Sequence, residues 1–212
     1  MSRRRIQIAC ALALSACTTL AGIRSSLAAG NVETPAALQG SGEEPVLGYD
    51  RWKWFEDTYW IVPENGIYSV YHSEERNTFT VLRGQTVFHI TDYFNGYFTG
   101  AVVVKLTQAL VPSCQYVLGQ VTPEGRVAMT MYDATTGAVV NSPTGDMVRK
   151  GGKWTMVNQM TAPASGGTLS HWAYMLQSKP GDRTFRSLPF AEESIPDFLS
   201  ACPDGPSIEI PG

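Results

Sequence analysis

The chain has 212 residues, 43% apolar and 17% charged, with 20 glycines and 13 prolines. That length suits one domain or two small ones, and 10% aromatics supplies a core, which excludes a disordered or fibrous chain. The formal net charge of −3 argues against a nucleic-acid binder.

Residues 1–29 read as a secretory signal peptide. Ser2-Arg3-Arg4-Arg5 is a basic start, Ile6 to Ile23 is an uncharged apolar run, and Ser26-Leu27-Ala28-Ala29 is a small-residue cleavage region. A membrane span is the alternative, because the run is nearly long enough. Its many Ala, Ser, Thr and Cys residues make it weakly apolar, which favours cleavage. Two refinements compete. Ser2-Arg3-Arg4-Arg5-Ile6 resembles a twin-arginine export signal, with Gln7 where a second apolar residue is usual. Leu14-Ser15-Ala16-Cys17 resembles a bacterial lipobox, which implies lipidation of Cys17 and a membrane tether. Soluble export to the periplasm or the exterior is the first expectation, and an envelope lipoprotein is the alternative.

Without the leader's four arginines, 12 basic and 19 acidic side chains remain, a balance of −7. Such a surface repels phosphate backbones, so no nucleic-acid partner is expected. Cys10 and Cys17 belong to the leader, leaving Cys114 and Cys202. In an oxidising compartment that pair reads as one disulfide tying the C-terminal segment to mid-chain. Two free thiols are the alternative. No Cys-x-x-Cys occurs, so neither a redox motif nor a zinc ribbon is indicated.

Residues 30–47 are rich in Gly, Pro, Ala and Glu and read as a flexible tether. Residues 48–202 read as the folded domain and 203–212 as a tail. Trp52 to Val62 is an aromatic, apolar run read as the first strand. Asn65-Gly66 turns into Ile67 to His72, and Phe79 to Leu82 follows. Arg83-Gly84 is read as a turn into Thr86 to Phe94. Asn95-Gly96 is the strongest hairpin signal, because both positions tolerate positive φ. Tyr97 to Leu106 returns. Tyr116 to Val121 and Arg126 to Tyr132 flank the loop Thr122-Pro123-Glu124-Gly125. Met147 to Lys150 and Lys153 to Met160 flank Gly151-Gly152, which places Arg149 opposite Trp154 in a geometry suited to a cation–π contact. Leu169 to Leu176 closes the series. Ser194 and Pro196 mark a short C-terminal helical turn over Ile195 to Ala201. The pattern is all-β: an antiparallel up-and-down barrel of about eight strands, with a β-sandwich as the alternative.

The Asn95-Gly96 hairpin assigns faces. An unbroken register puts Val87, His89, Thr91, Tyr93, Phe98, Gly100, Val102 and Val104 on one side. It puts Phe88, Ile90, Asp92, Phe94, Tyr97, Thr99, Ala101 and Val103 on the other. Both sides are largely apolar, which a half-wet sheet does not need. Either something covers the outer face or that face is an interface, and the C-terminal segment held through Cys202 is the natural cover.

Three histidines exist, His72, His89 and His171, with no metal-ligand spacing among them. No metal or cofactor is expected. His89 shares its face with Thr91 and Tyr93, and Phe98 and Trp154 add aromatic surface. These five residues are the candidate ligand-binding set, suited to an apolar molecule with one polar handle. His89 is also a candidate acid or base, and simple structural burial is the third reading. Glu56-Asp57 lie among aromatics, but neighbours on a strand point to opposite faces and do not share one substrate. Nucleophile-elbow and EF-hand spacings are absent.

Thr91-Asp92-Tyr93 followed by Tyr97 is similar to the Thr-Asp-Tyr-x-x-Tyr motif of lipocalins, with one more residue before the second tyrosine. Together with the aromatic first strand, serial hairpins and the expected disulfide, it makes the chain resemble a lipocalin-type calycin. That resemblance implies a small apolar ligand in a barrel and no catalytic residue. The leading expectation is therefore an exported binding protein for a small apolar molecule. The alternatives are an isomerase, cyclase or lyase using His89, and a cell-envelope interaction or inhibitor protein. The last expects an exposed patch at Phe88, Ile90, Phe94 and Tyr97.

Overall fold

The computed structural model describes residues 48–107, 112–203 and 205–210. The leader, the 30–47 tether, Cys10 and Cys17 lie outside the described residues. The chain opens with a 3-10 helix, Tyr49–Phe55, then β1 (Thr58–Ile61), a 3-10 turn at Glu64–Gly66, and β2 (Tyr68–Ser73). β3 (Thr78–Phe94), β4 (Tyr97–Leu106), β5 (Ser113–Val121) and β6 (Arg126–Asp133) follow as a meander. β7 (Val139–Asn141), β8 (Thr144–Lys150), β9 (Lys153–Ala164) and β10 (Gly167–Ser178) complete the sheet. Two short helices, α1 (Arg183–Arg186) and α2 (Ile195–Leu199), lie in the C-terminal segment.

The ten strands pair antiparallel, and the sheet closes on itself as a ring of eight through β9–β10 and β10–β2. β1 and β2 share one ring position. Both run against β3, β1 at Thr58↔Ile90 to Ile61↔Val87 and β2 at Tyr68↔Arg83 to Ser73↔Thr78. Between them the chain leaves the ladder. The fully buried Gln85 side chain fills that gap: its Oε1 accepts from Val62 N at 3.1 Å and its Nε2 donates to Val62 O at 2.9 Å. Its Nε2 also donates to Pro189 O at 3.0 Å, which fastens the C-terminal segment to the barrel wall.

The hairpins form where turn chemistry demands them. Asn95 and Gly96 have φ of 48° and 92°, as a two-residue type I′ turn requires. Arg149 pairs with Trp154 across the β8–β9 hairpin, with its guanidinium 5.1 Å from the indole centre. The Trp52 to Val62 reading needs correction. Its first half is the 3-10 helix, and only Thr58–Ile61 is strand. Arg83-Gly84 is no turn either, because β3 runs straight through it.

The assigned faces of β3 are also corrected. The hairpin begins as expected, Phe94↔Tyr97 and Tyr93↔Phe98, but a β-bulge falls between Ile90 and Asp92. Thr91 is the extra residue, and every side chain before it changes sides. Phe88 and Ile90 thus face the barrel interior, and Val87 and His89 face outward. Gly100, opposite the bulge, sits so close to the His89 carbonyl that a side chain there would collide with backbone.

Two apolar layers result. The interior holds Trp60, Ile90, Phe98, Val102, Met129 and Met156, packed with Trp52 and Phe55 of the 3-10 helix, which plugs one barrel end. Outside, Ile61, Val87 and Val103 are covered by Leu188, Ile195 and Phe198 of the C-terminal segment. This is the expected cover. The Cys114–Cys202 disulfide secures it, with Cα atoms 5.1 Å apart. Ser194 caps α2 by accepting from Asp197 N, and Lys105 Nζ meets Glu193 Oε1 at 2.7 Å beside it. Burying Phe198 in this layer contributes about 2–3 kcal/mol by area.

Candidate functional site

The 3-10 helix fills only one end of the barrel. Trp52 Nε1 donates to Thr122 O at 2.8 Å, and its ring meets Trp154 at 5.0 Å between centres. The other half of the interior, toward the β2–β3, β6–β7 and β9–β10 turns, holds a partly open cavity of about 230 Å³. Phe88, Met131, Met175 and Ala173 line it together with Val104 and Met160. The interior positions at this level carry small or flexible side chains, such as Gly84, Ser69 and Ala162, where the plugged end carries large rings. Space is left because the layer is underfilled.

The polar lining is neutral. Ser69, Thr86, Ser113, Gln115, Asn141, Asn158, Gln159 and His171 contribute it, and among the described residues no Asp, Glu, Lys or Arg lines the cavity. His171 Nε2 lies 3.2 Å from the Gly66 carbonyl. As that carbonyl can only accept, the proton belongs on Nε2, which leaves Nδ1 as an acceptor. Burial pushes the imidazole below its ordinary range, against a smaller upward pull from that hydrogen bond. The ring is therefore uncharged near neutral pH.

Three carboxamides in this wall are underused. Gln115 Oε1, Asn141 Oδ1 and both polar atoms of Asn158 are buried without a hydrogen-bond partner among the described residues. Gln115 and Asn141 are 6% and 8% exposed, so water does not compensate them at the outer surface. Gln115 Nε2 reaches only Ser113 Oγ, at 3.4 Å. Asn158 rests over Gly145, whose missing side chain gives its Oδ1 room. Buried amides without partners each carry a desolvation cost, and native proteins keep few of them. Four such atoms along one cavity mark it as a place for a polar group.

The five residues singled out from sequence lie elsewhere. His89 is on the outer face, its Nε2 3.1 Å from Asp57 Oδ1 and its ring stacked on Tyr59 at 4.2 Å. Burial, with the Asp57 carboxylate second, raises the Tyr59 phenol. Thr91 is the bulge residue, donating to Asp92 Oδ2 at 3.2 Å. Tyr93, Phe98 and Trp154 do come together, but around the plug: Phe55 meets Phe98 at 5.6 Å and Tyr93 at 6.4 Å. Tyr93 also donates to the Tyr49 carbonyl. None of the five lines the cavity.

The other histidines are separate. His72 sits on an exposed strand face beside Asn77, and His171 is in the cavity. Among the described residues no three His, Cys, Asp or Glu side chains gather as a metal site requires. The apolar patch expected at Phe88, Ile90, Phe94 and Tyr97 is not continuous, because Phe88 and Ile90 are interior. Exposed apolar side chains gather instead on the outer face of β2, β3 and β10, where Val70 pairs with Val81 and with Ser170 and Phe79 is 76% exposed. Among the described residues no helix is long and apolar enough to cross a membrane.

Sequence reasoning missed Gln115 and Asn141. Alternation along Lys153 to Met160 puts Asn158 on one face with Met156 and Met160, and that is the one available signal. Comparison with protein-family models, with curated proteins and with solved structures found no match to this chain.

Proposed function

We propose that this protein is an exported binding protein that holds a small, largely apolar, uncharged molecule inside its barrel. The observation that carries the reading is the neutral cavity of about 230 Å³ with unpartnered amides in a largely apolar wall. A cavity of that size suits a small ligand, and the convergent polar groups suit one fixed orientation. The closed barrel with one plugged end is the architecture of the lipocalin-type calycins that the chain resembles, and it supports the same function by analogy. The Cys114–Cys202 disulfide is consistent with an oxidising compartment, as expected of a periplasmic or extracellular protein or of an envelope lipoprotein tethered at Cys17. An acid–base role for His89 gains no support, since its Asp57 contact is on the outer surface and away from any enclosed space.

The test is a filled cavity. Ala173 is 4% exposed and lines the space. Ala173→Phe places a ring where the ligand would sit. Wild type should bind the apolar reporter N-phenyl-1-naphthylamine with a blue-shifted rise in fluorescence, and the variant should lose at least about tenfold in affinity while still melting cooperatively. Equal binding by both proteins would place the reporter outside the barrel and refute the reading.

A further inference from the structure

The cavity reading leaves open what polar group the ligand carries. The wall answers part of that. Its unpartnered atoms are three carbonyl oxygens, from Gln115, Asn141 and Asn158, and one amide nitrogen, from Asn158. Carbonyl oxygens accept and amide nitrogens donate. A complementary head group therefore offers two or more N–H donors and at least one acceptor.

Charge narrows the class further. Among the described residues no basic side chain lines the cavity to balance a carboxylate or phosphate, and no acidic one balances an ammonium. His171 stays neutral there, its Nδ1 adding a further acceptor. Bringing an ion into such a wall is costly because no opposite charge compensates its lost hydration. A carboxylic acid entering in its neutral form would bring only one donor. We infer that the ligand's head group is a neutral primary carboxamide or urea, seated against Gln115, Asn141 and Asn158, with its apolar body against Phe88, Met131 and Met175. This rests on the cavity-binding reading and deepens it. Amide-to-amide pairing of this kind satisfies donor and acceptor at once, and a site built on hydrogen bonds rejects analogues that leave those groups unpaired.

The unpartnered state has a second consequence. Replacing a buried polar group that lacks a partner by an apolar group of the same shape is neutral or stabilising. Asn158→Leu and Asn141→Leu keep the shape. Each should therefore raise the melting temperature of the ligand-free protein, by about 3 °C, while lowering affinity for the amide. A purely structural asparagine would give the opposite sign of the first effect.

The experiment measures binding of octanamide, 1-octanol and octanoate by calorimetry at pH 7.5, with N-phenyl-1-naphthylamine displacement in parallel. Octanamide should bind at least about tenfold more tightly than octanoate and more tightly than 1-octanol. In Asn158→Leu and Asn141→Leu the amide should fall to the level of the alcohol, while both variants still melt cooperatively. If octanoate or the alcohol binds as well as the amide, or if the leucine variants leave the preference intact, the head-group inference is overturned and the cavity reading survives. If no member binds and the reporter is indifferent to Ala173→Phe, the cavity reading itself fails and takes the inference with it.

Discussion

Reduction or removal of the disulfide should loosen the whole domain by an amount set by chain length. Cys114 and Cys202 are 88 residues apart. Cross-linking a loop of that length lowers the entropy of the unfolded chain by an amount worth about 4.6 kcal/mol at 25 °C in the chain-entropy model. The bridge also holds α2 against the outer faces of β3 and β4, where Ile195 and Phe198 cover Val87 and Val103. That apolar cover persists without the bridge, so Cys202→Ser should remain folded. For a domain of this size each kcal/mol moves the melting temperature by roughly 2–4 °C, so the variant should melt about 9–18 °C below wild type. Scanning calorimetry checks this, with wild type run in the presence and absence of a phosphine reductant. Reduced wild type and Cys202→Ser should coincide within about 2 °C. A drop below about 3 °C in both samples would refute the reasoning, because the loop would then not constrain the unfolded state.

Two further outcomes follow from buried polar groups. Gln85→Leu removes the bonds to Val62 N, Val62 O and Pro189 O at the gap between β1 and β2. It strands buried backbone groups and should cost about 3 kcal/mol, read as a lower urea midpoint with an unchanged slope. His171 gives a pH dependence. Burial holds its folded imidazole below the ordinary value, whereas the unfolded ring takes up a proton near pH 6.5. Between those two values the unfolded chain binds the extra proton, so stability falls as pH drops below about 6.5 and levels off under the folded value. Urea titrations from pH 7.5 to 5 should show this decline in wild type and a shallower one in His171→Gln. Equal slopes would show that His171 is not the group responsible.

Much of the barrel is legible because hairpin turns need particular residues. Asn95-Gly96, Gly151-Gly152 and the Thr122–Gly125 loop announce themselves through backbone conformations that few residues adopt. The disulfide follows from the count of cysteines, and the cap at Ser194 from its hydroxyl and the following proline. What stayed hidden is which side of β3 faces inward. Alternation reports faces only when one side is wet, and here both are apolar: the inner one fills the barrel and the outer one lies under the C-terminal segment. A single extra residue at Thr91 then moves His89 from the interior to the surface with no trace in composition. The same ambiguity hid the amides. Gln115 and Asn141 are polar residues at interior positions, visible as exceptions only once the interior is known. The Tyr49–Phe55 segment misleads for another reason. Aromatic residues suit strands and plugs equally, and only the closed ring shows that a plug was needed.

The central claim is that the barrel carries a small neutral molecule. It is tested most directly by native mass spectrometry of the protein purified from its native source, followed by denaturation. The account predicts a non-covalent adduct of low mass that is lost on denaturation and is missing from Ala173→Phe prepared in parallel. An adduct retained equally by Ala173→Phe, or none in wild type even after incubation with octanamide, would contradict it.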